Sequence, residues 1–332
     1  MEIASTEYIP ITDSSSIGEA RRRGLLLAEK LGFDETRSGE FALLITEVTR
    51  NVLSHAQSGQ TILMGFKNAH GSVARILALD QGPGIADVAR AMHDGYSTGG
   101  TMGGGLGAMK RLAAALEIFT NQSGTIVLLE VRSAAAERGL QIAGLAVPYP
   151  GERLCGDGWA FHKTSERCTV LLVDGLGHGH LAAEAADEAI HIFQRKAELA
   201  PGKILSYLHD GLKKTRGAVA AIAEIRPAEK LLTYAGVGNT AASLISHQGS
   251  RSLVSHSGTL GVSVSPRIQE FRVEWPKDNI LVMHSDGLTS RWDLTTYSGL
   301  LARHAAVIGG ALFRDYRRQR DDASVVVVKA AA

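Results

Sequence analysis

Glycine is concentrated in residues 79–110, LDQGPGIADVARAMHDGYSTGGTMGGGLGAMK, and this stretch restricts the fold more than any other. It contains the end of a short apolar strand, Ile76 to Leu79, then Asp80, two glycine turns and a helix. The turns are DQGPGI, residues 80–85, and GGGLG, residues 103–107. Glycine allows backbone angles closed to other residues and lets the main chain approach a ligand. A glycine turn leading into a helix N-terminus favours a bound phosphate, because free N–H groups and the helix dipole attract an anion.

These turns do not form a standard nucleotide-binding motif. No GxxxxGK[ST] sequence occurs, so the stretch is not a P-loop. The glycines are separated by about twenty residues of helix and loop, which does not fit a dinucleotide-binding fingerprint. Glycine turns alone are weak evidence for a ligand, and plain structural turns remain an open interpretation at this point.

The segment FALLITEVTRNVLSHA, residues 41–56, has the periodicity of an amphipathic helix. Its inward positions are apolar: Phe41, Leu44, Ile45, Val48 and Val52. Glu47, Asn51 and His55 are spaced four residues apart, so they lie along one face of this helix. Taken alone, this pattern indicates a polar stripe on a surface helix.

Taken together and in this order, the helix, DQGPGI and GGGLG resemble the GHKL ATP-binding fold of gyrase, Hsp90, histidine kinases and MutL. The resemblance is closer to the anti-sigma-factor serine kinases, and closest to the RsbT-like switch kinases of stressosome modules. DQGPGI and DGYST, residues 94–98, carry this closer resemblance. It covers about residues 1–133 and implies a GHKL (Bergerat) α/β sandwich that binds ATP and Mg²⁺.

The resemblance also implies roles for individual residues. Asn51 would hold Mg²⁺, and Asp80 would accept a hydrogen bond from the adenine amino group. Glu47 would act as the general base or position a water, since a carboxylate can take a serine hydroxyl proton as attack begins. Residues 86–102 would form a mobile lid. The glycine-turn positions implied to contact the nucleotide are Gly82, Gly84, Gly103, Gly104, Gly105, Leu106 and Gly107.

The composition limits the classes of function. Of 332 residues, 45% are hydrophobic and 21% charged, so we expect a globular protein with two domains. A net charge of +1 argues against nucleic acid or an acidic membrane as the main partner. No apolar run reaches the roughly 18 to 20 residues of a membrane span, and the start MEIASTEYIPI alternates like a strand, unlike a signal peptide. Two cysteines without CxxC spacing indicate a reducing compartment, so we expect a cytoplasmic protein.

In the first half, residues 2–11 predict an edge strand. Asp13 or Ser14 is expected to cap a helix that runs to about Leu31, and Asp34 to cap the helix that carries Glu47. Further strands are predicted at 61–68, 73–80, 116–120 and 125–132, with a helix at 106–116. This predicts an α/β sandwich with its helices on one sheet face, followed by a short polar linker at 134–139.

The second half, residues 140–332, is rich in strand-like runs. Strands are predicted at 141–147, 159–163, 168–173, 219–225, 231–235, 241–246, 280–284 and 324–329. Helices are predicted at 181–195 and 203–213, with at least one more between 297 and 318. Many strands with two or three helices indicate two packed sheets flanked by helices.

Acidic residues recur beside glycine or at strand ends in this half. They lie in GDGW (Asp157), VDGLGHG (Asp174), HSDGLTS (Asp286) and RDDASVVVV (Asp321, Asp322). Hard cations need clustered carboxylate oxygens, and glycine lets a backbone carbonyl join them. A single Asp-Gly pair is ordinarily a turn.

As an ordered set, the acidic motifs resemble the metal-dependent protein phosphatases of the PPM family, with the SpoIIE-type bacterial branch nearest. The opening VPYPGERLCGDGW is similar to the RsbX-like stressosome phosphatases. The resemblance covers about residues 140–330 and implies an αββα sandwich with serine/threonine phosphatase activity.

The resemblance implies two ions, Mn²⁺ or Mg²⁺. Asp157 and Asp174, with the Gly175 carbonyl, would hold one ion. Asp174, Asp286 and Asp321 would hold the other, so that Asp174 bridges and is central to catalysis; Asp322 is a less favoured ligand. Two metals would activate a water for in-line attack on phosphorus and stabilise the entering and leaving oxygens.

Other polar residues near these motifs are given secondary roles. Cys155 and Cys168 are interpreted as bystanders, because two-metal hydrolysis needs no cysteine nucleophile. His178 lies in the DGLGHG turn and is expected to support the loop, while His180 is assigned to the surface. Asn239, in AGVGN, is expected to shape a turn near the site.

The two resemblances imply one polypeptide with opposed activities in a partner-switching pathway. Its partner would be a STAS-domain anti-sigma-factor antagonist or stressosome-type protein, phosphorylated by the first domain and dephosphorylated by the second. In the alternative, the ATP-binding domain is a non-catalytic docking or sensor module that regulates the phosphatase. A chaperone-type ATPase is disfavoured because no transducer domain follows. A homodimer remains an open expectation.

Overall fold

The computed structural model describes residues 2–56, 58–68, 71–92, 105–133, 139–246, 249–262, 264 and 266–331. They form two compact units of mixed α/β structure, which agrees with the predicted fold class. The first unit groups residues 2–137 with residues 294–315, and the second groups residues 138–293 with residues 316–332. The predicted domain boundaries, 1–133, 134–139 and 140–332, remain predictions; the grouping by contacts adds residues 294–315 to the first unit.

The first unit is built on one antiparallel sheet in the order β1-β2-β3-β5-β4. Its strands are β1 Glu2–Ile11, β2 Gly59–Asn68, β3 Gly71–Asp80, β4 Ala115–Asn121 and β5 Gly124–Arg132. β1 lies at an edge, as predicted. Each strand predicted in this half is present within a few residues of its expected bounds.

Four helices occur among the described residues of this half: α1 Ser14–Leu31, α2 Glu35–Ala56, α3 Val88–Ala91 and α4 Gly105–Leu112. Asp13 caps α1 by accepting from the Ser15 amide at 2.8 Å, and Asp34 accepts from the Arg37 amide at 2.8 Å. Both caps were predicted. The helix predicted at 106–116 ends earlier, because the Ala114 amide already donates to the Glu130 carbonyl of the sheet at 2.8 Å.

One face of this sheet packs against α1 and α2. Alternate strand residues such as Leu63, Ile76 and Leu129 join the apolar side of α2 in a single buried core. The predicted inward residues Phe41, Leu44, Ile45, Val48 and Val52 are all at most 3% exposed. The apolar residues of α2, spaced with the helical period, therefore pack against the apolar residues of the strands, spaced with a two-residue period.

The other face of the sheet is also apolar and buried, and it is covered by residues 294–315. This segment contains α7, Ala305–Tyr316, whose residues 305–314 are all buried. Gly310 lies so close to the sheet that a Cβ atom there would be 2.9 Å from Leu79 Cδ2 and 3.3 Å from Leu77 Cδ2. The expectation of helices on one face only was therefore incomplete, because the second face is covered by a segment far away in sequence.

Polar contacts fix this segment on the sheet. The His304 amide donates to Glu117 at 2.8 Å, and Glu130, which is fully buried, contacts His304 Nε2 at 3.9 Å. Burial acts to raise the pKa of Glu130, but the charges of Arg75, Arg132 and His304 hold that pKa below its usual value. The buried carboxylate is thus paired, as its burial requires.

The second unit contains two antiparallel sheets, in the orders β13-β10-β9-β8-β7 and β12-β11-β14-β15-β6. The strands of the first are β7 Asp157–Lys163, β8 Cys168–Gly175, β9 Ala218–Arg226, β10 Leu231–Val237 and β13 Phe271–Glu274. The strands of the second are β6 Leu140–Val147, β11 Ala241–Ser246, β12 Gly249–Leu253, β14 Ile280–His284 and β15 Ala323–Ala330. β12 and β13 were not predicted.

The two sheets pack face to face, with the Trp159 ring of β7 lying directly over Gly144 of β6. α5, His180–Lys196, and α6, Pro201–Gly211, cover the outer face of the β7–β10 sheet through a shared apolar core. No helix among the described residues has the length and apolar character needed to cross a membrane.

The contact at Gly310 predicts a measurable effect on stability. Gly310→Val places a branched side chain against Leu77 and Leu79, so we expect the free energy of unfolding to fall by about 1–3 kcal/mol, the usual range for overpacking. Gly39→Val in α2 is the matched control, because beyond the adjoining backbone of its own helix no atom lies within 4 Å of the Cβ position. Denaturant unfolding of the full chain measures both. Equal effects would contradict the close packing of α7.

Candidate nucleotide site and candidate metal centre

Asp80 ends β3 and fixes the turn that follows it. Its Oδ1 accepts from the Gly82 amide at 2.9 Å and from the Thr125 amide of β5 at 3.1 Å. Its Oδ2 has no hydrogen-bond partner among the described residues. The Asp80 side chain is therefore held in place with one oxygen unused, which suits its predicted contact with an adenine amino group.

The rest of the DQGPGI turn is pinned to the β4–β5 hairpin. Thr120 Oγ1 accepts from the Ile85 amide at 2.8 Å. Gly84 has φ 78°, and a Cβ atom there would be 2.5 Å from the Asn121 carbonyl oxygen. Only glycine combines this backbone angle with so close an approach. The turn is thus a fixed part of the first unit.

The polar face of α2 lies beside the start of α4. The Cβ position of Gly105, the first residue of α4, is 3.8 Å from both side-chain heteroatoms of Asn51. Asn51 is half-buried, and its side-chain amide has no hydrogen-bond partner among the described residues. Glu47 accepts from Arg50 Nη1 at 2.7 Å, and His55 is exposed. The structure therefore brings Asn51 to the N-terminus of α4, where anions are favoured.

Part of the predicted nucleotide site lies outside the described residues. This applies to Gly103 and Gly104, to the DGYST motif and to residues 93–102 of the predicted lid. Within the lid, residues 88–91 form α3, capped by Asp87 through the Arg90 amide at 2.8 Å. Gly105, Leu106 and Gly107 lie in the first turn of α4. The nucleotide contacts of all these residues remain predictions.

The candidate metal centre is assembled from the ends of strands in both sheets of the second unit. Asp157 opens β7 and lies directly opposite Asp174, near the end of β8, in the antiparallel register. Asp286 follows β14 after one intervening residue, and Asp321 shortly precedes β15, the strand paired with β14. The topology thus brings together the four aspartates that the motifs singled out.

The carboxylates are close enough to affect one another strongly. Burial, together with the charges of Asp157, Asp286, Asp321 and Asp322, raises the pKa of Asp174 to about 9. Burial also raises the pKa of Asp157, to about 7, against the lowering effect of a hydrogen bond from Ser285. Burial and the neighbouring carboxylates therefore both disfavour the charged form of Asp174, and a bound cation would remove this penalty.

Neighbouring side chains hold two of these carboxylates in position. Ser285 Oγ donates to Asp157 Oδ2 at 2.5 Å and itself accepts from the Ser324 amide at 3.0 Å. Asn239 Nδ2 donates to Asp286 Oδ2 at 2.6 Å. Asn239 was expected only to shape a turn, and Ser285 was not singled out by the sequence. Their contacts arise from strand pairing, which the local sequence does not display.

Asp322 has a role different from that of Asp321. Its Oδ1 accepts from the Tyr149 amide at 2.7 Å and its Oδ2 from the Gly156 amide at 3.0 Å. Both carboxylate oxygens therefore bind the loop that leads into Asp157. This geometry agrees with the expectation that Asp322 is a less favoured ligand, and it makes Asp322 a support for the Asp157 loop.

His178 lies at the rim of this centre. Its Nδ1 is 3.2 Å from Glu152 Oε1, and its ring stacks on Tyr149 at 4.8 Å between centroids. His178 is thus held against the same loop that Asp322 fixes, which fits the predicted loop-supporting role. His180 begins α5 and is exposed.

The cysteines do not have the character of nucleophiles. Burial raises the pKa of Cys155 well above its usual value, and the charges of Asp157 and Asp322 add to this effect. Burial raises the pKa of Cys168 to about 12. Since the thiolate is the reactive form, both side chains stay protonated near neutral pH. This agrees with their interpretation as bystanders.

The donor set fits hard divalent cations. The candidate ligands are carboxylates and one backbone carbonyl, which Mg²⁺ and Mn²⁺ prefer. No three His, Cys, Asp or Glu side chains in the described part of the chain are grouped closely enough to hold an ion by themselves. Mg²⁺ ordinarily keeps several waters and takes one or two carboxylates, so this spacing suits ions whose shells are completed by water. The ligand assignments remain predictions.

Comparison with known protein families supports two domains. Residues 164–331 match the family described as Stage II sporulation protein E (SpoIIE), and residues 12–131 match the family described as Histidine kinase-like ATPase domain. The sequence-based prediction of a GHKL-type domain fused to a SpoIIE-type phosphatase domain is confirmed.

Two curated relatives match separate parts of the chain. Serine/threonine-protein kinase RsbT of Bacillus subtilis (strain 168) is 38% identical over 93 residues, which are 28% of this chain and 70% of RsbT. Phosphoserine phosphatase RsbX of the same organism is 28% identical over 142 residues, which are 42% of this chain and 69% of RsbX.

Solved structures share the fold. One, described as "The bacterial stressosome: a modular system that has been adapted to control secondary messenger signaling", is 27% identical with a TM-score of 0.53 and covers 57% of this chain and 99% of its own. The crystal structure of RsbX in complex with magnesium has a TM-score of 0.53 at 22% identity and covers 65% of this chain and 100% of its own. The latter likeness concerns the fold alone.

The charge cluster predicts opposite effects of Asp174→Asn with and without metal. Because the folded-state pKa of Asp174 is raised from 3.8 to about 9, the metal-free protein loses stability as pH rises through this range. At pH 8, Asp174→Asn should therefore raise the unfolding midpoint of the metal-free protein. It should also abolish the stabilisation by Mn²⁺, which is about 2.7 kcal/mol at a hundredfold excess over Kd. Thermal unfolding with chelator or Mn²⁺ measures both, and exposed Asp187→Asn is the control; a retained Mn²⁺ shift would contradict the assignment.

The hydrogen bonds of Asp322 predict that it can be distinguished from Asp321. Asp322→Ala frees the Asp157 loop, so we expect Mn²⁺ affinity to fall by about 10- to 100-fold, as for other residues that support a ligand. Activity on an aryl phosphate should then recover at high Mn²⁺, and Asp322→Asn should be milder because it keeps an acceptor oxygen. Asp321→Ala should not recover. Identical Mn²⁺ titrations for the two alanine variants would show that Asp322 is itself a ligand.

Proposed function

Because this chain belongs to the SpoIIE family of protein serine/threonine phosphatases and carries an N-terminal histidine kinase-like ATPase domain, we propose that it is a bifunctional regulator of a bacterial partner-switching pathway. In this proposal the first domain transfers phosphate from ATP to a serine or threonine of a STAS-domain protein. The second domain removes that phosphate with the help of Mn²⁺ or Mg²⁺.

The observation that carries the proposal is the presence of two separate sets of functional side chains in one chain. Asp80 and Asn51 present unused polar groups beside the glycine turns of the first unit. In the second unit, the aspartates around Asp174 form a cluster of negative charge that calls for cations. The two sets occupy different units, so each can serve its own reaction.

The residues of this chain have distinct tasks in the two reactions. In the first unit, Asp80 orients the adenine and Glu47 accepts the proton of the attacking hydroxyl. In the second unit, Asn239 and Ser285 keep Asp286 and Asp157 in fixed orientations. When bound there, the ions activate water and stabilise charge on the phosphoryl group. The raised pKa values of Asp157 and Asp174 make both carboxylates dependent on that cation charge.

The STAS-type partner is proposed from the relatives. One relative is a serine/threonine-protein kinase and another a phosphoserine phosphatase, and a similar solved structure was described in the context of the stressosome. Each relative covers one part of this chain. The simplest function for a chain that joins a kinase-like and a phosphatase-like domain is to add and remove phosphate on one partner protein.

One observation favours a second candidate function. Glu47, the proposed proton acceptor, is in an ion pair with Arg50 at 2.7 Å. This pairing competes with a substrate hydroxyl for the carboxylate. In the second candidate the ATP-binding domain is a docking or sensor module that regulates the phosphatase and transfers no phosphate.

Phosphotransfer to a purified STAS-domain protein tests the proposal. The Asp174→Asn variant, given labelled ATP and Mg²⁺, should accumulate label on the partner because removal is blocked. Adding Glu47→Ala should reduce the label at least about 100-fold, the lower range for loss of a general base. Adding Asn51→Ala should also reduce the label, because it removes the proposed Mg²⁺ ligand. Glu40→Ala, on the same helix, is the matched control and should label normally. The wild-type chain should remove phosphate from a partner labelled beforehand.

The outcomes separate the two candidates. Tight ATP binding by calorimetry without any labelling would support the docking module and reject the kinase. Failure of the wild-type chain to release phosphate with Mn²⁺ present would reject the phosphatase assignment.

A further inference from the structure

The nucleotide turn of the first unit contacts α7 on both sides of Asp80. Leu79, which precedes Asp80, packs against Gly310 of α7: a Cβ atom on Gly310 would lie 2.9 Å from Leu79 Cδ2. Gln81, which follows Asp80, donates from Nε2 to the Arg314 carbonyl in the last turn of α7 at 3.3 Å. A displacement of Asp80 along the sheet would therefore move its neighbours Leu79 and Gln81, which contact α7 at Gly310 and at Arg314.

The end of α7 is fixed by a buried side chain. The Arg314 side chain is 1% exposed, and it donates to Asn121 Oδ1 at 3.1 Å and to both oxygens of Asp315. Asn121 belongs to the hairpin that contacts Gly84, and Asp315 also accepts from Tyr297 at 2.9 Å. The last turn of α7 is thus tied to both sides of the proposed adenine turn.

The chain that leaves α7 runs directly into the candidate metal centre. Residues 316–322, which we name the connecting segment, end in Asp321 and Asp322. The Arg318 amide donates at 2.8 Å to the carbonyl of Gly287, the residue that follows Asp286. The Thr289 amide donates to the Tyr316 carbonyl at 3.0 Å. The segment therefore orients the Asp286 loop.

The connecting segment also holds the Asp157 loop. Arg317 Nη2 donates to the Pro148 carbonyl at 2.7 Å, and Asp322 accepts from the Tyr149 and Gly156 amides. Gly156 directly precedes Asp157. The segment thus supplies Asp321 and positions two other candidate ligands.

We propose that Gln81 and Arg314 are positioning residues that couple nucleotide binding in the first unit to cation binding in the second, through α7 and the connecting segment. A nucleotide that fixes Asp80 also fixes the end of α7, and this orders the segment that carries Asp321. Nucleotide binding therefore raises the affinity of the phosphatase centre for Mn²⁺ or Mg²⁺. Because linkage is reciprocal, cations at that centre raise nucleotide affinity by the same factor.

This inference rests on the proposed ATP and metal sites and adds the regulation of one by the other. It requires no contact beyond those named above, because the connection from Asp315 to Asp321 is covalent. The coupled element is short and held at both ends by hydrogen bonds, which is the kind of element that transmits a displacement.

Amide hydrogen exchange of residues 316–322 tests the coupling without phosphatase activity. The experiment uses the full-length Asp174→Asn variant with Mg²⁺ and a non-hydrolysable ATP analogue, so that cations do not order the second site directly. We expect the analogue to slow exchange in this segment by about fivefold or more, the lower range of allosteric coupling. Adding Gln81→Ala should remove this slowing. Gln122→Ala, an exposed glutamine in the β4–β5 turn, is the matched control and should retain it.

A second measurement uses the active protein. Hydrolysis of an aryl phosphate is titrated with Mn²⁺, with and without the analogue. The analogue should lower the Mn²⁺ concentration for half-maximal rate by about fivefold or more in the intact chain and in Gln122→Ala, with no shift in Gln81→Ala. The Gln81→Ala chain should keep its basal rate at saturating Mn²⁺.

The results distinguish failure of the coupling from failure of the proposed function. If the analogue binds by calorimetry and the chain hydrolyses the aryl phosphate, but neither exchange nor Mn²⁺ dependence responds, the coupling is wrong and the function stands. A response of equal size in Gln81→Ala, or weaker Mn²⁺ binding with the analogue, also overturns it. If the chain neither binds the analogue nor hydrolyses phosphate, the proposed function fails.

Discussion

The first sheet has two apolar faces, and both must be removed from water. α1 and α2 cover one face, whereas residues around Leu77 and Leu79 form the other and would be exposed without α7. Burying an apolar side chain of this size stabilises a protein by about 1.5–3 kcal/mol. The helix that covers this face lies between β14 and β15 in the sequence, so the linker at 134–139 is not the only covalent connection between the units. A cut in the linker at 134–139 would place the first sheet and α7, the helix that covers it, on two different polypeptides.

The candidate metal centre depends on a different constraint, the repulsion between carboxylates that are close together and partly buried. Asp174 lies near four other carboxylates, whose charges act with burial to raise its pKa to about 9. Such an arrangement fits the proposed cation site, and the fold supports it with hydrogen bonds to Asp157, Asp286 and the Asp157 loop. Ser285 and Asn239 donate hydrogen bonds to the candidate ligands Asp157 and Asp286, whereas Asp322 accepts from the backbone of the loop that leads into Asp157.

The sequence predicted what local patterns encode. Strand-like runs predicted the buried strands of the second half, and Asp-Gly pairs predicted the importance of Asp157, Asp174 and Asp286. β12 was missed because its residues are largely exposed and carry no apolar pattern, and β13 was missed because it has only four residues. A helix was expected between 297 and 318, but its position was not, because α7 is apolar on all sides and so gives no sign of which surface it covers. The supporting roles of Ser285 and Asn239 depend on pairing between distant strands, which no local pattern shows.

The proposed kinase and phosphatase activities would oppose each other in one chain, so equal and constant rates would consume ATP without changing the proposed partner. A bias requires an element whose state depends on one site and affects the other. Two flexible domains joined at a single linker would lack such an element. Here α7 packs against the strand that ends in Asp80, and its continuation carries Asp321, so residues 305–322 connect the two proposed sites through the covalent chain. The insertion that completes the core of the first unit is therefore also the part of the chain best placed to supply that bias.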